Sequence, residues 1–356
     1  MTALRAGLIG AGERARIHLE ALDELRADGR LELVAVADPV THAARSIAEP
    51  RGATTYDDPE ALLAGERLDV AYLVVPYNLH PELVAAVLRC GVHLFVEKPL
   101  AVTAEATGEL LRLAEEAAAG GTLTCVAYDR RWSRSFDGCV EQLAGIPPAM
   151  FASHWYWGMP VTAWARRFEL NGGQVFAQLS HHVDLARALF GPVETVSASA
   201  GRVARVTPAD DAAGFDNDDV HAMTLTFASG AVGSIHGTYA LFPGAPEAQA
   251  LRVIARELLI EIGPDHLRVT RPAIDTTPPP TPEIVETGDD RMPRMHGAFV
   301  KAIEEERPEL LRTPASDAAM TSFVCAAANE SARRGQPIVM SEFVAAHTGG
   351  SQGPAP

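Results

Sequence analysis

The stretch Gly7-Leu8-Ile9-Gly10-Ala11-Gly12-Glu13-Arg14-Ala15 decides the reading of this chain. It sets G-x-G-x-x-A between an apolar run ending at Ile9 and a helical pattern from about Ala15 to Leu25. Gly10 suits a tight turn, Gly12 lets the backbone approach a pyrophosphate with no Cβ in the way, and Ala15 permits close helix–strand packing. The helix N-terminus, reached through Glu13 and Arg14, offers unpaired N–H groups and the positive end of its dipole to the same anion. A glycine string alone is a weak signal, and its place between strand and helix strengthens it. Asp38 strengthens it again, ending the next apolar run 26 residues past Gly12. A carboxylate there binds ribose hydroxyls and repels a 2′-phosphate, which predicts NAD in preference to NADP. The competing reading of Asp38 is an ordinary Asp-Pro helix cap.

Outward from this turn, strand and helix alternate. Leu31–Ala37, Leu68–Val75, Val92–Val96 and Thr122–Tyr128 are short, nearly continuous apolar runs, with helical patterns at Pro81–Cys90 and Thr103–Ala119. That alternation predicts a parallel sheet covered on both faces, a doubly wound α/β domain over residues 1–130. Beyond it the pattern changes. Val193–Val206, Ala222–Ala228, Ala231–Tyr239 and Leu251–Ile262 read as strands separated by Gly, Pro and Asp, and Ala228-Ser229-Gly230-Ala231 reads as a hairpin turn. Helical patterns follow at Gly297–Glu305 and Ser316–Arg334. This predicts an α+β domain over 131–345, built on a large, mostly antiparallel open sheet. Thr276–Pro282 is expected to be an extended Pro-rich connector, and 346–356 a disordered tail.

Of 356 residues, 30 are Lys or Arg and 46 are Asp or Glu, a formal charge of −16. An acidic balance argues against nucleic acid or an anionic membrane as partner, since both select a basic footprint. No apolar run is long enough to span a bilayer, and the N-terminus lacks a signal-peptide layout, so a cytoplasmic protein is expected. Cys90, Cys125, Cys139 and Cys325 form no CxxC pair and read as reduced thiols. Asp216-Asn217-Asp218-Asp219 reads as a solvated turn rather than a metal site, and no metal is expected.

With Glu97-Lys98-Pro99 closing the Val92–Val96 run, the chain resembles the Gfo/Idh/MocA oxidoreductases, which include glucose–fructose oxidoreductases and inositol 2-dehydrogenases. The resemblance runs from the glycine turn to Ala327–Ser331. It implies that Lys98 lies at the nicotinamide end, beside Glu97, and helps move the alcohol proton. Hydride leaves a carbinol carbon only as its hydroxyl proton is removed, so a donor–acceptor group must touch that oxygen. A free lysine titrates near ~10.4, and a base at neutral pH needs a value about two to three pH units lower; the alternative is a charged lysine that polarises the oxygen. The second family motif, G-G-x-x-x-[DE]-x-x-x-H-x-x-D, reads here Gly172-Gly173-Gln174-Val175-Phe176-Ala177-Gln178-Leu179-Ser180-His181-His182-Val183-Asp184. His181 matches the histidine that contacts the substrate hydroxyl, and Asp184 the aspartate three residues on. Ala177 stands where the family has an acid. Three readings follow: Lys98 and His181 suffice, His182 or Gln178 substitutes, or redox activity is reduced and the chain is a binding protein.

Pro76 and His80 match the family's T-P-N-x-x-H turn, which implies a place beside the cofactor, although His80 could simply cap a helix before Pro81. Tyr128-Asp129-Arg130-Arg131-Trp132 resembles the segment leading into the second domain, with Arg130 or Arg131 a candidate for substrate, or equally a surface cation. Trp155, Trp164 and Arg166 belong to an aromatic and arginine-rich stretch that suits a polyol or carboxylated sugar, or equally a packed interface. The resemblance thus implies an NAD(H)-dependent dehydrogenase acting on a secondary hydroxyl of a sugar, cyclitol or related polyol, assembled as a homodimer or homotetramer through the open sheet. A dinucleotide-binding regulator or a non-redox, glycosidase-like relative is the alternative.

Overall fold

Apolar runs from the first third of the chain form one sheet, and those from the remainder form another. The computed structural model describes residues 2–242, 244–272 and 281–349. They divide into two compact units: residues 2–101, 105–129 and 291–319, and residues 102–104, 130–242, 244–272, 281–290 and 320–349.

In the first unit, β1 (Leu4–Ile9), α1 (Glu13–Ala27), β2 (Leu31–Ala37), α2 (Thr41–Ala48), β3 (Thr54–Tyr56), α3 (Pro59–Gly65), β4 (Val70–Leu73), α4 (His80–Arg89), β5 (His93–Val96), α5 (Ala104–Ala119) and β6 (Thr124–Val126) follow one another. The six strands are all parallel, in the order β3-β2-β1-β4-β5-β6. This is the expected doubly wound sheet. Its central strands are buried on both faces: Leu8, Ala35, Val36, Tyr72 and Phe95 expose nothing. The order reverses between β1 and β4, and in such sheets ligands bind outside the carboxyl ends of the strands at that reversal. Both the glycine turn, after β1, and Glu97-Lys98, after β5, lie at those carboxyl ends.

The second unit carries α6 (Arg134–Gln142), β7 (Pro148–Gly158), α7 (Phe168–Asn171), a π-helical turn (Val175–Leu179), α8 (Ser180–Phe190), β8 (Val193–Gly201), α9 (Pro208–Ala212), β9 (Val220–Phe227), β10 (Val232–Leu241), β11 (Ala248–Ala255), β12 (Leu258–Ile262), β13 (His266–Thr270) and β14 (Glu283–Glu286). Then come α10 (Arg291–Glu304), α11 (Ala315–Arg334), β15 (Ile338–Val339) and α12 (Met340–His347). Nine strands form one sheet, β14-β13-β12-β11-β7-β10-β9-β8-β15, antiparallel except where β7 and β10 run together. Helices α6, α8 and α12 lie against it, and alternate residues on the other face are exposed, Met150, Val232 and Ile254 among them.

Some boundaries differ from those read in the sequence. The chain crosses into the second unit at Arg130, but residues 291–319 return to the first. There α10 packs on α1, and Thr313 donates from Oγ1 to the Val126 carbonyl at 2.6 Å. Leu251–Ile262 is a hairpin, not one strand: Ala255 pairs with Leu258 across Arg256-Glu257. Glu257 takes φ 57° there, so no glycine or proline announced the turn. The last helix runs through His347, inside the expected tail. Residues 350–356 of that tail, and 276–280 of the expected connector, lie outside the described residues. Among the described residues no helix is long and apolar enough to cross a membrane.

Candidate functional site

The glycine turn is shaped for a bulky anion. Gly10 has φ +97°, and a Cβ on it would sit 2.1 Å from the Val74 carbonyl oxygen, so only glycine fits. A Cβ on Gly12 would meet nothing within 4 Å, which leaves open space over the turn. Gly12 caps α1 with no side-chain hydrogen bond, so the first-turn N–H groups keep no side-chain acceptor. Glu13 is exposed and Ala15 fully buried, as close packing on the sheet requires. Asp38 accepts from the Ala11 N–H at 2.7 Å and from the Val40 N–H at 2.8 Å. Each oxygen keeps lone-pair capacity for a hydroxyl. The open turn, the uncapped helix end and the anchored carboxylate together fit a pyrophosphate and ribose.

Around Lys98 the first unit builds a charged, buried cluster. Glu97 and Lys98 are 3% and 5% exposed, so neither charge is left to bulk water. Glu97 Oε1 accepts from Arg14 Nε at 2.6 Å and faces His18 Nε2 at 2.9 Å, while Oε2 accepts from the Lys98 N–H at 3.1 Å. Burial alone would raise the Glu97 carboxyl. The Arg14 charge, the His18 hydrogen bond and the Lys98 charge outweigh it and hold Glu97 well below the usual carboxylate range. The Lys98 ammonium lies 5.5 Å from the centre of the Tyr77 ring. Lys98-Pro99 is a cis bond. His80, fully buried, faces the Pro99 carbonyl through Nδ1 at 2.9 Å and the Val75 carbonyl through Nε2 at 3.3 Å. It therefore ties the Pro76 turn to the Lys98-Pro99 segment, and burial lowers its pKa.

The second unit holds the other motif. Gly172 and Gly173 have φ +71° and +81°, and a Cβ on Gly172 would lie 2.6 Å from the Phe176 ring. The π-turn that follows, in which bonds run i→i+5, changes the phase of the helix, so Ala177 and His181 do not superimpose as positions four apart do on an α-helix. His181 is nearly buried, with the Trp155 ring centre 6.0 Å away. Trp155 also stacks on His182 at 5.3 Å and carries the Arg130 guanidinium 4.6 Å above it. His182 Nδ1 is held by Ser153 Oγ at 3.1 Å, and burial with the Arg130 charge keeps its pKa well below the imidazole range. Gln178 Oε1 accepts from Gln174 Nε2 at 2.9 Å, and Gln174 Oε1 faces His221 Nδ1 at 3.1 Å.

Several arginines read as substrate candidates have protein partners. Arg131 grips Asp184 through Nε at 2.7 Å and Nη2 at 2.8 Å, and Thr321 joins the same carboxylate at 3.2 Å. Arg166 donates to the carbonyls of Pro160, Val161 and Ala213. Trp164 is half-buried beside it in a short 3-10 turn. In the acidic run, Asp216 binds Arg167 and the Phe168 N–H, and Asp219 caps the N–H groups of Val203 and Ala204. Among the described residues no group of His, Cys, Asp or Glu could hold a metal ion. His18 and His296, which complete the Glu97 cluster, were not read from the sequence. Position 18 carries no motif signal by itself, and His296 lies 278 residues away from it.

The fold and glycine turn define a dinucleotide-binding protein of the Rossmann class. Residues 4–121 match the "Oxidoreductase family, NAD-binding Rossmann fold" model, and residues 147–257 match the GFO/IDH/MocA C-terminal domain. The chain belongs to the Gfo/Idh/MocA family. It is 28% identical to the rhizopine catabolism protein MocA of Rhizobium meliloti over 198 residues, 55% of this chain and 60% of that protein. It is 28% identical to the myo-inositol 2-dehydrogenase of Thermotoga maritima over 239 residues, 65% of this chain and 67% of that one. The chain thus spans about 60% of the first of these relatives. The WlbA dehydrogenase of Bordetella pertussis, solved with NADH and UDP-GlcNAcA, shares the fold at TM-score 0.77 and 24% identity, over 95% of this chain and 98% of that one.

Proposed function

We propose that this chain is an NAD(H)-dependent dehydrogenase acting on a secondary hydroxyl, or the corresponding ketone, of a sugar, cyclitol or related polyol. The observation that carries the reading is the buried lysine, Lys98, fixed at the carboxyl end of β5 by Glu97, on the same sheet edge as the open glycine turn. Bound NAD would supply the hydride chemistry. The chain's part is to hold the dinucleotide with Gly10, Gly12, the α1 N-terminus and Asp38, and to exchange the hydroxyl proton at Lys98 Nζ. His181 orients the substrate oxygen. His80 and Pro76 shape the turn beside the cofactor, and Trp155 supports the histidine.

Absorbance at 340 nm, with NAD⁺ and a panel of cyclitols, hexoses, aminosugars and uronic acids, tests this. Turnover is expected on at least one of them, falling ~10²–10⁴-fold in Lys98→Ala while NAD⁺ binding, followed by fluorescence, persists. Ala177 at the family's acidic position favours a second reading, a dinucleotide-binding protein without turnover. Silence across the panel with NAD⁺ still bound would select it.

We also propose a homodimer or homotetramer formed through the open face of the nine-stranded sheet. Val232, Met150 and Ile254 are register neighbours on three adjacent strands and are 39%, 40% and 37% exposed. Such a row of apolar side chains is costly to leave in water. Met150→Lys is expected to lower the light-scattering mass, to a monomer from a dimer or to a smaller assembly from a tetramer, and an unchanged mass would place the interface elsewhere.

A further inference from the structure

Glu97 is held from behind by two histidines that no motif contains. His18 on α1 and His296 on α10 are both fully buried. His18 Nε2 lies 2.9 Å from Glu97 Oε1, and His18 Nδ1 lies 3.0 Å from His296 Nε2. His296 Nδ1, buried, has no hydrogen-bond partner among the described residues. Phe95 stacks on the His296 ring at 4.4 Å, and Tyr72 stacks on it at 5.5 Å. The charged groups facing this array are Glu97, Arg14 and Lys98, with Asp129 3.9 Å from Arg14 and bound by Arg291.

Hydrogen-bond accounting gives the array a direction. An ionised carboxylate only accepts, so His18 must present Nε2–H to Glu97. The bond between the rings then has two possible senses. If His18 donates from Nδ1 as well, it is a doubly protonated, charged imidazolium, and His296 carries its own proton on Nδ1, where a buried N–H faces no acceptor among the described residues. If His296 donates from Nε2, its bare Nδ1 is left as an unused lone pair. An unsatisfied acceptor is the better tolerated of the two, and an orphaned buried N–H is rare. Burial also pushes the His296 pKa far below the imidazole range, which favours a ring with a single proton.

We propose that His18 and His296 form a one-way hydrogen-bond chain, each ring protonated on Nε2, that clamps the Glu97 carboxylate and through it the Lys98 backbone. The chain ends at a buried atom without an outlet, so it is a clamp and not a proton wire. Both histidines are positioning residues, and their effect on turnover rests on the dehydrogenase reading above. With Glu97 Oε1 fixed by His18 and Arg14, Oε2 is presented to the Lys98 N–H.

Two readouts test this. Long-range ¹H–¹⁵N correlation spectra of the ¹⁵N-histidine-labelled full chain without cofactor, assigned with His18→Gln and His296→Gln, should show protonated Nε2 and bare Nδ1 on both rings at pH 8. A proton on Nδ1 of either ring would overturn the proposal. In turnover, His18→Leu is expected to lower kcat at least tenfold with the KM for NAD⁺ within twofold. His18→Gln, whose amide can donate to the same oxygen, should recover most of the loss. Equal loss in both variants would mean that the ring only fills space. If the wild-type protein turns over nothing, the dehydrogenase reading fails while the ¹⁵N pattern still decides the clamp.

Discussion

Asp38 is claimed by the fold at the same carboxylate that the proposed cofactor role needs. Its carboxylate accepts the buried Ala11 N–H of the glycine turn and also the Val40 N–H, and its remaining lone pairs suit ribose hydroxyls. Asp38→Ala should therefore have two separable effects. An orphaned buried donor costs ~1–3 kcal/mol, which urea unfolding would register. Loss of the negative charge should narrow the preference for NAD over NADP at least ~10-fold, measured as a ratio of dissociation constants. A stability loss without a change in that ratio would assign Asp38 to the turn alone. At this scale the sequence exposes residue types at motif positions but not the partners that claim them. Arg131 could be picked out, but Asp184, 53 residues on, could not be paired with it in advance. The same holds for His80, whose two carbonyl partners depend on how the Pro76 turn meets the Lys98-Pro99 segment.

Among elements, the junction of β1 and α1 separates structural need from ligand need within three residues. Gly10→Ala would drive a Cβ into the Val74 carbonyl at a positive φ. It should lower stability by ~3 kcal/mol or more, since a backbone atom cannot move aside and a left-handed L-residue adds its own cost. Gly12→Ala meets open space at φ −69°. Its thermal midpoint should stay close to wild type while NAD⁺ affinity falls at least ~10-fold, because the new methyl occupies the pyrophosphate's approach. If Gly12→Ala bound NAD⁺ normally, the turn would not be the phosphate site. Five strands of the first sheet were legible because strands buried on both faces read as apolar runs, whereas the edge strand β3, Thr54-Thr55-Tyr56, is only partly buried and went unread. The second was legible only in part. β7 buries alternate side chains over its middle and is interrupted by Ser153-His154, so it does not read as an apolar run, and the Arg256-Glu257 turn leaves β11 and β12 as one apolar stretch.

Over the whole molecule, sequence periodicity could not assign α10, since an amphipathic helix does not say which sheet it will cover; it returns to the first unit. The many buried imidazoles, by contrast, have a consequence for the entire chain. Burial lowers the pKa of His221 to about 4, and pushes those of His182 and His296 well below the ordinary value. His80 is lowered by the same cause. A histidine kept neutral in the folded state takes up its proton first in the unfolded chain, so stability falls as pH drops below ~6.5. Each such group contributes up to ~1.4 kcal/mol per pH unit until its folded-state pKa is reached. The overall charge of −16 acts the other way, because added protons relieve self-repulsion. A decline between pH 7 and 5, above the range where most carboxylates titrate, therefore has to come from the buried histidines. The urea midpoint should fall across that window at constant m-value. In His221→Gln the fall should be shallower, since that ring faces Gln174 within hydrogen-bond reach and an amide can take its place. Parallel curves for the variant and the wild type would show that protonation of His221 does not limit stability in acid.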